Sequence, residues 1–212
     1  MGQRTSEDLQ AALLQAGSRL ESFRVVLDFG CGCGRTLMRL SRQFPEIEWH
    51  GTDVDAESIQ WCRSNIGTAA FSLNYPLPPL PYQDSTFDLI YGISVFTHLS
   101  RECQLAWIPE LCRVLRRGGL LLLTFHGEHV WKALEAEAVE REGFVFRASN
   151  KLRGIMPGWY QTAFESKECI ISLLSSHLSI VTYIPGGFGD QDVAVARRDH
   201  SGALQFGTQD PG

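Results

Sequence analysis

The chain has 212 residues, 44% of them apolar and 20% charged, with a formal net charge of −5. That length suits one domain burying roughly 70% of its unfolded surface, and the acidic balance, with Lys and Arg scattered, excludes the basic stripe of a nucleic-acid binder. No apolar run approaches the ~20 residues that cross a bilayer, and residues 1–10 are polar, with Glu7 and Asp8, so neither a membrane span nor a secretory signal is expected and the location expected is cytoplasmic.

Residues 6–20 read as an amphipathic helix, with Leu9, Leu13, Leu14 and Leu20 on one side and Ser6 as N-cap. Val25, Val26, Leu27 and Phe29 form a short apolar run suited to a strand buried on both faces. Glycines at 30, 32 and 34 break it; a helix with Leu37, Leu40 and Phe44 at helical spacing follows, closed by Pro45. Ile47, Trp49 and Gly51 alternate with polar residues, which predicts a second strand ending at Asp53. Residues 56–65 predict a helix, 70–73 a weak third strand, and 75–82, with four prolines, a loop.

Residues 88–94 predict a fourth strand. Residues 100–115 predict a helix with Leu105, Ile108, Leu111 and Val114 inward, and Pro109 is expected to kink or break it. Residues 116–119, Arg-Arg-Gly-Gly, read as a helix stop, and 120–125 as a strongly apolar, central fifth strand. Strands alternating with helical crossovers give a parallel, Rossmann-like doubly wound α/β sheet. Residues 166–177 look helical; 178–184 and 192–196 look like strands. Their seven-residue link is too short for a helical crossover, so the pair is expected to be antiparallel. Residues 199–212 are polar and glycine-rich and are expected to form a disordered tail. With no repeat and no dividing linker, residues 1–198 read as a single domain.

The strongest local signal is Asp28-Phe29-Gly30-Cys31-Gly32-Cys33-Gly34, where a buried strand runs into a glycine loop and a helix. Such a junction builds a ligand site at the carboxyl end of a strand. Glycines admit close backbone approach and dihedrals closed to other residues, and the helix start offers free N–H groups. A plain tight turn is the bland alternative, but three alternate glycines after an acid speak against it. A dinucleotide fold would show GxGxxG facing a pyrophosphate. Here the spacing is GxGxG, and Asp28 would repel a pyrophosphate while suiting a ligand with an ammonium group and no phosphate. Asp53 has the position to accept from both ribose hydroxyls, a role dinucleotide folds share. The six cysteines form no CxxC pair and no zinc-finger spacing, so free thiols and no metal site are expected; Cys31 and Cys33 read as small residues of a tight turn.

These residues resemble the first motif of the class I S-adenosylmethionine-dependent methyltransferases. Gly51-Thr52-Asp53-Val54-Asp55 resembles the acidic end of that family's second strand. Residues 79–82 and 84–90 resemble the segment leading into its fourth, and 113–119 the helix end before its fifth. The resemblance implies a seven-stranded sheet of order 3-2-1-4-5-7-6 with the last strand antiparallel, binding S-adenosylmethionine and releasing S-adenosylhomocysteine. It implies that Asp28, Phe29, Gly30, Cys31, Gly32 and Gly34 lie along the methionine part of the cofactor. Asp53 would hold the ribose, Val54 would pack on adenine and Asn74 would reach its amino group, while Ile93 and Ser94 border the cofactor. Val54 and Ile93 have a bland alternative as core residues.

Methyl transfer needs positioning of the two reactants and, for a protonated oxygen or nitrogen acceptor, a base. His98, four residues past the fourth strand, is the first candidate; its alternative is to cap or pack at the next helix. His126, after the fifth strand, and Tyr160, beside Trp159 in an expected acceptor-site cover at 143–164, are candidate substrate contacts, with His129 weaker. The acceptor expected is a small molecule rather than nucleic acid, and the state a monomer or homodimer. A nicotinamide-dependent oxidoreductase, a non-catalytic cofactor-binding module, and a nucleic-acid or protein methyltransferase are the alternatives. The last lacks an Asn/Asp-Pro-Pro-Tyr/Phe motif at the fourth strand, which ends Gly92-Ile93-Ser94.

Overall fold

The computed structural model describes residues 2–131, 133–147 and 161–199. The chain opens with α1 (Gly2–Gln15), then alternates: β1 (Val25–Phe29), α2 (Arg35–Gln43), β2 (Glu48–Asp53), α3 (Ala56–Asn65), β3 (Ala70–Leu73), β4 (Phe87–Gly92), α4 (Arg101–Val114) and β5 (Leu115–Phe125). A second part follows with α5 (Ala133–Glu142), β6 (Phe144–Arg147), β7 (Thr162–Glu165), α6 (Lys167–Ser175), β8 (Ser179–Phe188) and β9 (Gln191–Arg197). Seven strands make one sheet in the order β3-β2-β1-β4-β5-β9-β8. Counting that sheet's strands alone, this is the expected 3-2-1-4-5-7-6. β1 to β5 run parallel, and β9 runs antiparallel to both β5 and β8. The unexpected addition is a separate antiparallel hairpin of β6 and β7.

The period-2 alternation of each strand divides the core between the two faces. Val26, Leu89, Leu120, Leu122, Val193 and Val195 pack with residues of α1, α2 and α3; Leu27, Ile90, Leu121, Leu123 and Ala194 pack with α4 and α6. Each leucine taken out of water this way contributes about 2 kcal/mol.

Four local expectations need correction. α1 begins earlier than residue 6, so Ser6 lies buried inside the helix instead of capping it. Its inward stripe is Leu9, Ala12, Leu13 and Ala16, the i, i+3, i+4, i+7 series, and Leu14 falls off that stripe at 54% exposure. In α4 the helix runs through Pro109. The carbonyl that Pro109 leaves unbonded belongs to Leu105, and both residues lie on the solvent side, where water satisfies it; Leu105 is therefore exposed, not inward. Residues 116–119 follow the helix end as expected, since α4 closes at Val114. They form the irregular start of β5, with Gly118 at φ +79° and a register shift against β4.

The proline-rich loop is fixed on α4. Glu110 accepts from the Leu80 amide at 2.7 Å, and Arg113 donates to the carbonyls of Leu80 and Tyr82 and to Asp84. No helix among the described residues is long and apolar enough to cross a membrane. The expected tail beyond residue 199 lies outside the described residues.

Gly51 sets how closely β2 approaches β3 and the glycine loop. A Cβ there would meet the Phe71 ring at 2.8 Å and Cys31 Sγ at 3.0 Å. Gly51→Ala is expected to lower the unfolding free energy by about 1–3 kcal/mol, read by urea titration.

Candidate functional site

The sequence turns a buried strand into a loop within three residues. Gly30, Gly32 and Gly34 all have positive φ, at +78°, +52° and +68°. Gly30 is fixed by space as well as by conformation, since a Cβ would sit 2.3 Å from Val95 Cγ2. The Thr52 carbonyl accepts from the amides of Gly30 and Cys31, at 2.8 and 3.0 Å. Asp53 Oδ2 accepts from the Gly32 amide at 2.7 Å, and Oδ1 from that of Asp55 at 2.9 Å. Those bonds fix the orientation of the Asp53 carboxylate and leave each oxygen a lone pair for a further donor.

A cavity of about 320 Å³ opens over this loop, walled by Asp28, residues 30–33, Ile93 and Ser94 and by Thr5, Arg35 and Phe188. The last three, from α1, α2 and the end of β8, carried no signal in the sequence beyond their element assignments. Asp28 is buried; burial, and then the Asp53 charge, push its carboxyl up to about 7, with Tyr91 opposing. A neighbouring cation would restore its charge. Ser94 takes the left-handed region at φ +58°, uncommon outside glycine. Its amide donates to Thr124 Oγ1 at 2.8 Å, and its hydroxyl meets the Gln191 amide group of β9. Gln191 is a residue that sequence reasoning missed, because its partner is 97 positions away.

Val54, at 38% exposure, is not a core residue, whereas Ile93 is half-buried against the core as well as lining the cavity. Phe29 faces away from α2 into the other half of the core, against Trp107. Asn74 is buried and largely spent on structure: its Oδ1 accepts from Thr52 Oγ1 at 2.7 Å and its Nδ2 donates to the Tyr75 carbonyl at 2.8 Å. One amide hydrogen remains for another acceptor. Cys31 and Cys62 both donate to the Gly32 carbonyl at 3.6 Å; burial raises both thiols, that of Cys62 to about 11. They behave as space-filling groups of the turn.

His98 and His126 end up together, ring centroids 6.1 Å apart, at the carboxyl edge of β4 and β5. His98 does not cap α4; Ser100 does, accepting from the Cys103 amide. His98 Nδ1 lies 2.8 Å from the Gln161 carbonyl, and His126 Nδ1 lies 3.1 Å from the Ala163 carbonyl. A carbonyl only accepts, so each Nδ1 carries hydrogen and Nε2 is the basic nitrogen of the neutral ring. Burial lowers both imidazoles below their ordinary range, only partly offset by those bonds. β7, which supplies one carbonyl and directly follows the other, is held by Glu165. This buried carboxylate accepts from Gln104 at 2.5 Å and lies 3.6 Å from Arg101. Residues 143–147 and 161–164 of the expected cover form this hairpin; Trp159 and Tyr160 lie outside the described residues. His129 belongs to a short 3₁₀ turn at residues 128–130. Among the described residues no group of three or more His, Cys, Asp or Glu is placed to hold a metal ion.

Residues 26–119 match the model of a methyltransferase-domain family. A malonyl-[acyl-carrier protein] O-methyltransferase of Herminiimonas arsenicoxydans is 28% identical over 82% of this chain and 66% of its own length. A fatty-acid O-methyltransferase of Mycolicibacterium smegmatis is 31% identical over 47% of this chain and 36% of its own. The chain thus spans between about a third and two thirds of these curated relatives. A crystal structure of an S-adenosylmethionine-dependent methyltransferase from Methanosarcina mazei superposes with a TM-score of 0.64 at 19% identity, over 82% of this chain and 92% of that one, which is a likeness of fold.

Gly30→Ala is expected to cost about 1–3 kcal/mol, from backbone strain and the clash with Val95. Adding Val95→Ala removes the clash alone, so the double variant should lose less than the sum of the singles in thermal unfolding. The contribution of the two buried carboxyls to stability should fall as pH rises from about 5 to 8, opposite in sign to that of His98 and His126, whose imidazoles burial lowers. Burial raises Glu165 to about 7 and Asp28 likewise, so the folded state holds protons that the unfolded state has released. Glu165→Gln should flatten this slope without abolishing it.

Proposed function

We propose that the chain is a class I S-adenosylmethionine-dependent methyltransferase, a reading that its matched methyltransferase domain and its fold support, and that it transfers a methyl group to an oxygen or nitrogen of a small-molecule acceptor, with His98 as base. The observation that carries this reading is the pairing of buried Asp28 with oriented Asp53 across the glycine loop. Asp28 lines the cavity and Asp53 clasps the loop that walls it; two carboxylates about one loop disfavour a pyrophosphate and suit an ammonium at one end and a ribose diol at the other. A nicotinamide dinucleotide is correspondingly disfavoured. Oxygen comes first among acceptor atoms, since both relatives are O-methyltransferases by name.

When bound, the cofactor supplies a methyl group already activated by its sulfonium. The protein's part is to orient and to move a proton. Asp28 and the loop amides hold the methionine end, Asp53 the ribose, and Val54 the adenine face, with Asn74's remaining hydrogen near it. Ile93 and Ser94 separate cofactor from acceptor. His98, its Nδ1 hydrogen committed to Gln161, takes the acceptor's proton at Nε2; His126 lines the acceptor side, Tyr160 is a candidate contact, and the β6–β7 hairpin covers that side. Residues 1–198 act as one domain, in the cytoplasm, as a monomer or homodimer and without a nucleic-acid partner.

Calorimetric titration of S-adenosylmethionine and S-adenosylhomocysteine should show binding that Asp53→Ala abolishes; a folded wild type that binds neither overturns the proposal. With a screened acceptor, kcat should fall on the acid side as His98 protonates, with the limb below the ordinary imidazole value of 6.5. His98→Gln should lower kcat by about 10²–10⁴ and remove the limb while leaving S-adenosylhomocysteine affinity intact. Methyl transfer unaffected by His98→Gln would exclude the base.

A further inference from the structure

Tyr91 on β4 and Asp28 on β1 are register partners in adjacent parallel strands, about 4.8 Å apart. Both side chains leave the sheet on the face that α1 and α2 cover, Tyr91 as a member of that core and Asp28 by alternation from Val26. Tyr91 is 0% exposed, and its hydroxyl has no hydrogen-bond partner at ordinary geometry among the described residues. A phenylalanine would fill the same volume without burying an unsatisfied hydroxyl, so the oxygen calls for a use. The ionisable groups whose charge reaches it are Asp28 and Cys31.

We infer that Tyr91 is a positioning residue of the cofactor site, its hydroxyl donating to the Asp28 carboxylate when that group is ionised and turned toward the cofactor's ammonium. The inference rests on reading the cavity as the cofactor's. Asp28 is also faced by Asp53, which opposes its ionisation, and by the thiols of half-buried Cys31 and buried Cys62; Arg35 lines the same cavity, and α1 brings uncharged Thr5 to it. The ionised carboxylate binds the ammonium, so affinity rises with pH through the titration of Asp28 and then levels. Removing the Tyr91 donor moves that titration upward.

The test is calorimetric titration of S-adenosylhomocysteine into the full chain from pH 5.5 to 8.5, for wild type, Tyr91→Phe and Asp28→Asn. Tyr91→Phe should shift the midpoint up by about one pH unit. That weakens binding up to about tenfold below pH 7 and converges on wild type at the alkaline end, with a thermal midpoint no lower than wild type. Asp28→Asn should bind weakly and without pH dependence. The carboxyl ¹³C signal of Asp28 followed by NMR, without ligand, should report the same upward shift in Tyr91→Phe. An unmoved Asp28 titration, or an equal loss of affinity at every pH, overturns the role of Tyr91. A shifted Asp28 signal with no wild-type binding at any pH instead overturns the cofactor reading on which the role rests.

Discussion

One carbonyl holds the carboxyl edge of the sheet together. Thr52, at the end of β2, accepts from the amides of Gly30 and Cys31, and the next residue, Asp53, takes the amide of Gly32. Three consecutive N–H groups of the loop are thereby turned toward β2, which is why φ becomes positive at Gly30 and again at Gly32. The Thr52 hydroxyl extends the lock outward, reaching the Ser72 carbonyl and Asn74. The ends of β1, β2 and β3 are thus one hydrogen-bonded unit. Asp53 has two roles in it, as the clasp of the loop and as the acid that the ribose would meet, so its orientation is set before any ligand arrives.

The proposed acceptor side has a different origin. Its two imidazoles come from the ends of β4 and β5, but their tautomers are set by residues 161 and 163. Two positions apart on extended chain, these carbonyls point the same way, which is how one segment holds both rings. Its anchor is the buried Glu165, which accepts from Gln104 and lies in ion-pair range of Arg101, both of α4. Trp131 adds a bond from its indole N–H to the His126 carbonyl. The glycine-loop cavity and the paired imidazoles therefore depend on separate parts of the chain, with Ser94, just past β4, on the cavity wall.

The sheet was legible because its signals are local. Apolar runs of strand length, a glycine loop and crossovers of ordinary length specify parallel neighbours with little ambiguity, and the short 185–191 link forces the antiparallel pair. Asp28 and Asp53 were legible because each ends a recognisable strand. The errors share a physical cause in context beyond the local pattern. Pro109 is tolerated since its orphaned carbonyl faces water, and Leu14 and Leu105 are apolar residues on solvent-facing turns. Gln191, Phe188, Thr5 and Tyr91 reach the site only through packing between elements far apart in sequence. The hairpin was hidden because β6 and β7 are four residues each and separated by a long intervening segment. The partition of His98 between capping and catalysis was undecidable from spacing; the Ser100 cap settles the first half.

The ladder of β6 and β7 belongs to no other sheet. Exchange or lengthening of that hairpin leaves the register of all seven core strands untouched, because a slip within it moves no core side chain from one face to the other. Evolution thus has two nearly independent dials on this scaffold. One is the interlocked strand ends, where the Thr52 carbonyl and the Asp53 carboxylate tie three loop amides to β2. The other is a small appended ribbon whose backbone, rather than its side chains, dictates the protonation geometry of the histidines. A change in that ribbon re-aims both imidazoles without disturbing the locked strand ends.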